Sequence, residues 1–136
     1  MRIERRHYEA MVDSLRLELP REGCGLLFGR GDLVIRVVPM ANRATDPDRF
    51  LLDAAEEAAV RRELAAEGEE LLAIYHSHPI APAFPSVLDR RIKLPVRHLI
   101  VGLGGRQPVA RLFQWAETFW EERLWIVPDQ ADRPLG

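Results

Sequence analysis

Along the first twenty residues, Tyr8, Met11, Val12 and Leu15 recur at the i, i+3, i+4, i+7 spacing of a single helical face, and Pro20 bounds the run. That spacing predicts a first helix. Cys24 to Phe28 is a small, apolar stretch between Gly23 and Gly29, and Leu33 to Val38 is rich in β-branched residues. Arg30-Gly31-Asp32 supplies turn chemistry between them, so a β-hairpin is expected. Residues 42–49 are polar and contain Asp46-Pro47-Asp48, a loop signal, before a short strand expected at Phe50 to Leu52. Asp53 with Glu56 three residues on resembles a capping box, and the Ala/Glu/Arg/Leu-rich stretch behind it predicts a second helix that Gly68 stops.

Leu71 to Tyr75 reads as a short buried strand that delivers the chain into His76-Ser77-His78-Pro79. Three prolines between Pro79 and Pro85 make the next segment a stiff surface loop. Ser86 is placed to cap a short helix from Val87 to about Leu94. Strands are expected at Val96 to Val101, Val109 to Trp115 and Glu122 to Val127, with a turn region at Gly102 to Gly105. There is no internal repeat or second domain. The chain therefore divides into one domain over 1–127 and a tail over 128–136, and its element pattern is that of an α+β fold, an α/β/α sandwich around a mixed curved sheet.

Composition narrows the function classes. With 47% hydrophobic and 29% charged residues the chain lies far from disordered compositions, so it is expected to fold around one core. Its net charge of −2 offers no field to draw it onto nucleic acid or an anionic membrane. Cys24 is the sole cysteine, which excludes an intramolecular disulfide and a thiolate-built zinc site and fits a reducing compartment. Met1 to Ala10 carries three arginines and no apolar signal core, and no apolar run is long enough to span a bilayer. A cytoplasmic protein is the expectation.

The candidate chemistry gathers at the strand end. Residues i and i+2 of a strand point to one face, so His76 and His78 can offer both imidazoles to one metal ion. Asp89, eleven residues beyond His78 and one turn into the expected helix, is the candidate third ligand, leaving a fourth position open for water. Zn2+ suits this donor set, and Glu22, beside the small strand Gly23-Cys24-Gly25-Leu26-Leu27, is the candidate general base. The hydroxyl of Ser86 can donate to an oxyanion. Ser86-Val87-Leu88-Asp89 is also a capping-box pattern, and an Asp89 that caps would leave the metal set incomplete. Cys24 reads as packing, and His7 and His98 as surface or core residues. Phe113, Trp115, Phe119, Trp120 and Trp125 read as core or homodimer-contact residues rather than nucleobase platforms.

His76-Ser77-His78-Pro79, six intervening residues, then Ser86 and Asp89 reproduce the pattern H-x-H-P-x6-S-x-x-D, and Glu22 to Gly29 matches the glutamate-led block upstream of it. In these motifs, and over roughly residues 5 to 127, the chain resembles the JAMM/MPN+ zinc metalloproteases, in particular their short stand-alone prokaryotic branch. The resemblance implies a cytidine-deaminase-like mixed sheet and hydrolysis of the amide bond after the C-terminal glycine of a ubiquitin-like or sulfur-carrier protein ending in Gly-Gly. It also implies that the tail of such a partner adds a strand near the zinc. Two other readings stand beside it: a small-molecule amidase that releases an amino acid from a carrier-protein adduct, and a non-catalytic MPN scaffold. The absence of H-E-x-x-H and C-x-x-C removes zincin and zinc-deaminase readings.

Overall fold

A computed structural model describes residues 1–86, 96–116 and 118–130. The chain opens with a short strand β1 (Arg2–Glu4), then α1 (Arg5–Leu17), the hairpin β2 (Cys24–Arg30) and β3 (Leu33–Met40), and α2 (Ala54–Ala65). Next come β4 (Glu70–His78), β5 (Arg97–Gly102), β6 (Val109–Ala116), β7 (Thr118–Glu122) and β8 (Trp125–Val127). Among the described residues the strands make one eight-stranded mixed sheet in the order β7-β6-β5-β4-β2-β3-β1-β8.

The sheet has to curl. β7 and β8 are its two edges, which a flat eight-stranded sheet would hold about 33 Å apart at the usual strand spacing. Only Arg123 and Leu124 lie between them in the chain, and three Cα steps reach at most about 11 Å. Three contacts tie the closure. Arg97 of β5 pairs with Asp32 of the hairpin turn at 2.8 Å and with Glu122 of β7 at 3.6 Å, and the Trp125 amide donates to the Met1 carbonyl at 3.0 Å.

Period-two alternation divides the sheet between the helices. Leu27, Tyr75, Leu99, Val101 and Leu112 pack with Met11, Val12 and Leu15 of α1, while Leu26, Phe28 and Ile74 pack with Leu64 of α2 on the opposite face. This is the expected helix-sheet-helix layering. The predicted face of α1 is the buried one, apart from Tyr8, which is half-buried. Asp53 caps α2 by accepting from the Glu56 amide at 2.9 Å, and Gly68, at φ 79°, follows its end as expected. In the hairpin turn Gly31 has φ 58°, a left-handed conformation that glycine adopts without strain.

Three expectations change. Phe50 to Leu52 is not a strand: Phe50 is buried as part of an irregular segment, and the Leu51 amide and carbonyl bond Asn42 Oδ1 and the Arg43 amide instead of a ladder. Of the strand expected over Glu122 to Val127 only Trp125–Val127 forms one strand, β8, while Glu122 ends β7, a strand from Thr118 that was not expected, because the chain crosses there between opposite sheet edges. β4 runs on past Tyr75 through His78. The helix expected from Val87 to about Leu94, and Asp89 with it, lie outside the described residues. Among the aromatics, Phe113 is buried with Phe119 packed edge-on against it, whereas Trp120 and Trp125 are exposed on β7 and β8.

Candidate metal centre

β4 is the pivot of the sheet, antiparallel to β2 on one side and parallel to β5 on the other. Pairing of Cys24 with His76, and of His76 with Ile100, fixes how far the histidines project beyond the core. The pairing continues past the strand: the Ser77 amide donates to the Gly23 carbonyl at 3.0 Å, and the Gly23 amide donates to Ser77 Oγ at 2.9 Å. Gly23 is also tight against α1, since a Cβ there would lie 2.9 Å from Leu15 Cδ2. These contacts set Glu22, the residue just before, beside the end of β4.

His76 and His78, two residues apart on one strand, face the same way as the spacing requires, and their Nε2 atoms stand 3.2 Å apart. Two nitrogens bound to one tetrahedral ion at the usual 2.0–2.1 Å are separated by roughly 3.3 Å, so the imidazoles already occupy one edge of such a site. His78 Nδ1 donates to the Pro82 carbonyl at 2.8 Å. A carbonyl can only accept, so the ring proton is held on Nδ1 and Nε2 presents its lone pair inward. The His76 ring is stacked on Phe50, with centroids 4.4 Å apart and planes inclined by 22°.

Glu22 completes the group. Its Oε1 lies 3.9 Å from His76 Nε2, and the ligand atoms of Glu22, His76 and His78 all fall within 4.8 Å of one another. The three residues are buried, at 6%, 0% and 5% exposure, which is an uncommon placement for a carboxylate and two imidazoles unless something charged or hydrogen-bonded offsets the loss of water. A divalent cation fits this donor set. The Glu22 oxygen, at 3.9 Å from His76 Nε2, stands farther out than a tetrahedral edge of roughly 3.3 Å.

A cleft of about 340 Å³ opens over the group, lined by Glu22, His78 and Ser86 together with Pro20, Ile80 and Ala81. Ser86 therefore shares a surface with Glu22 and His78, as its place in the motif anticipates. The structure brings together four of the five residues singled out from sequence, and the fifth, Asp89, lies outside the described residues. Cys24 sits behind His76 with its thiol pushed up to about 12 by burial and then by Glu18 and Glu22, so it stays neutral and serves as packing. His98 is buried against Phe119 and His7 is half-buried on α1. Phe50 and the Pro82 carbonyl carry no functional signal in the sequence. The first carried only a strand-like signal, and the second is a backbone atom with no residue-type signature.

Comparison with known proteins agrees with this geometry. The family described as prokaryotic homologs of the JAB domain (Prok-JAB) matches residues 4–117. A Thermus thermophilus protein described as "Probable TtuB-protein conjugate cleaving protease" is 41% identical over 90 residues, covering 65% of this chain and 60% of the relative. The CysO-cysteine peptidase of Mycobacterium tuberculosis is 36% identical over 85 residues, covering 61% and 58%. The chain thus spans about three fifths of the length of these curated relatives. A solution structure of a Desulfitobacterium hafniense protein superposes with a TM-score of 0.87 at 32% identity, covering 95% of this chain and 94% of that one. The histidine pair and its carboxylate thus stand inside the matched residues 4–117, and the chain belongs to the prokaryotic JAB-domain family.

Proposed function

We propose that this chain is a zinc-dependent isopeptidase that hydrolyses the amide bond after the C-terminal glycine of a ubiquitin-like or sulfur-carrier protein. The observation that carries the reading is the approach of the His76 and His78 Nε2 atoms to 3.2 Å with the Glu22 carboxylate beside them. His76 and His78, joined by Asp89, would hold the ion. When bound, Zn2+ would supply Lewis acidity to the scissile carbonyl and lower the pKa of water toward neutral. Glu22 takes the proton from the attacking water and hands it to the leaving amine. Ser86 donates its hydroxyl hydrogen bond to the oxyanion as the carbonyl carbon becomes tetrahedral.

The cleft supports this partner chemistry. Pro20, Pro79, Ile80 and Ala81 give it an apolar side beside the polar Glu22, Asp48, His78 and Ser86, which suits an extended tail of small residues, and a Gly-Gly terminus is the tail with least bulk at the scissile bond. The Thermus relative, described as a "Probable TtuB-protein conjugate cleaving protease", supports this substrate class. The name of the Mycobacterium relative, a CysO-cysteine peptidase, favours a second reading in which the leaving group is a single amino acid on the carrier terminus. Both use the same groups, and the retained Glu22, His76 and His78 cluster argues against a silent scaffold.

The test incubates zinc-loaded protein with two probes: a ubiquitin-like carrier joined through its terminal Gly-Gly to a lysine side chain, and the same carrier ending in a single added amino acid. Glu22→Gln should lower turnover of the preferred probe by about 10²- to 10⁴-fold, the usual range for a lost proton carrier, with zinc still bound. Equal turnover by Glu22→Gln and the parent protein would remove Glu22 from the mechanism. The ratio of the two probes' kcat/KM values separates the two substrate readings.

A further inference from the structure

Asn42 is a surface-loop residue that neither the motif nor the cleft includes, yet its side chain makes every hydrogen bond an amide can make. Nδ2 donates to the Glu22 carbonyl and to the Arg49 carbonyl, each at 2.8 Å, and Oδ1 accepts from the Ala44 and Leu51 amides, each at 3.0 Å. Two donors meet carbonyls and two lone pairs meet N–H groups, so its orientation is fixed by its partners and its capacity is filled.

What those bonds hold is the proposed site. Asn42 bonds the Glu22 carbonyl, while the Glu22 amide donates to the Pro47 carbonyl at 3.1 Å. Both the amide and the carbonyl of Glu22 are thereby fastened to the 42–51 segment, and the Arg21 guanidinium fastens the neighbouring residue to the Ala44 carbonyl. The other two long-range partners, Arg49 and Leu51, flank Phe50, the ring stacked on His76. One side chain therefore ties the backbone of the carboxylate to the loop that covers the first histidine. Alongside the bond from the Arg43 amide to the Leu51 carbonyl, at 2.8 Å, these side-chain bonds hold a segment that joins no ladder.

We infer that Asn42 is a positioning residue for Glu22: it fixes where the Glu22 carboxylate stands relative to His76 and His78 and acts on the reaction through that carboxylate. The inference rests on the reading of Glu22 as proton carrier. Its sensitivity is that of any oriented group, for which a displacement of about 1 Å costs on the order of 10²-fold in rate.

Asn42→Asp keeps acceptor oxygens for the Ala44 and Leu51 amides and withdraws the donors to Glu22 and Arg49. Asn42→Ala removes all four bonds. With zinc-loaded protein and the lysine-linked Gly-Gly carrier, Asn42→Asp should lower kcat roughly 10- to 100-fold while KM moves by less than about twofold. Titration with zinc alone should give an affinity within about threefold of the parent protein, since the histidines are untouched. In a Glu22→Gln background the same change should alter residual turnover by less than about twofold, because a residue acting through Glu22 has nothing left to act on. Amide hydrogen exchange at Glu22 should quicken in Asn42→Asp, a readout that needs neither zinc nor substrate.

Unchanged kcat in Asn42→Asp, or the same fold loss in both backgrounds, would overturn the inference while leaving the isopeptidase reading intact. Full activity of Glu22→Gln alone would instead overturn the proton-carrier reading, and the exchange rate at Glu22 would still decide whether Asn42 holds that residue. Should Asn42→Ala fail to fold, Asn42→Asp carries the test.

Discussion

Gly25 lies in β2 directly opposite Tyr75 of β4, one residue before His76. A Cβ built at Gly25 falls 2.5 Å from Tyr75 Cε1 and closer still to Cζ and Oη, against the 3.5–4.0 Å at which carbon atoms settle. Gly25→Ala therefore forces the ring to move by about 1 Å or more. Tyr75 is fully buried in the core shared with α1, and its hydroxyl bonds Ser14 Oγ at 3.2 Å, so the ring has nowhere to go without disturbing both. Overpacking of this kind costs about 1–3 kcal/mol, and a lost neutral hydrogen bond adds about 1. Relief of glycine's backbone entropy returns about 0.5–1, which leaves a net destabilisation of about 1–3.5 kcal/mol. At about 2.1 cal/mol/K per residue, a chain of 136 residues has an unfolding entropy of about 0.29 kcal/mol/K, so Tm should fall by about 3–12 °C. The assay is thermal and urea unfolding of the parent, Gly25→Ala, Tyr75→Leu and the double variant. If the clash is the cause, the cost of Gly25→Ala should shrink by more than half once Tyr75 is already Leu. Additive costs, or a Tm change under about 2 °C, would refute the packing argument.

Zinc should stabilise the folded chain by mass action, about 4 kcal/mol at a free concentration near a thousand times Kd, and His76→Ala should abolish the shift; identical melting with zinc and with chelator would contradict the donor-set assignment. A further outcome concerns the buried carboxyl of Glu69, which accepts from Arg36 Nε and Nη2, each at 2.8 Å. Those hydrogen bonds, chiefly, hold its pKa below the ordinary glutamate value of 4.5. A carboxyl depressed in the folded state contributes stability that is present above 4.5 and is lost as pH falls through the lower folded value. Arg36→Met should therefore be less stable than the parent at pH 7, with the gap narrowing below pH 4.5 in urea midpoints measured across that range; a pH-independent gap would reject the ion pair as its source.

What was legible from sequence follows the strength of the local signals. α1 and α2 carry long periodic or capped patterns, and both form where expected because their buried faces meet a sheet that the patterns presuppose. The histidine pair is legible for an equally local reason, since spacing of two on a strand fixes a shared face whatever the rest of the chain does. β1, three residues long, is too short for periodicity to declare, and β7 carried no reading before its last residue, whereas β8 fell inside the strand expected over Glu122 to Val127. Phe50 misled because an apolar aromatic signals burial as readily as it signals strand, and here the burial is against the His76 ring. Asn42 was invisible for the opposite reason: a polar residue in a polar loop is ordinary, and its four partners are backbone groups scattered from residue 22 to residue 51.

The site depends on register more than on any one side chain. From Cys24 to Leu27, β2 pairs residue for residue with His76 back to Ala73, and the irregularity in that ladder falls beyond it, between Leu27 and Phe28. A slip of one residue in the regular stretch would turn His76 and His78 to the α1 face and leave Tyr75 and Ser77 pointing at Glu22, because side chains alternate with period two. The distal bulge places the adjustable part of the ladder at the far end from the histidines, so twist and length can be accommodated there without disturbing them. Gly25 belongs to the same device. Only a residue without a side chain lets the Tyr75 ring lie over β2, and that ring packs into the α1 core on the face opposite the histidines, locking the register that aims His76 and His78 at the carboxylate.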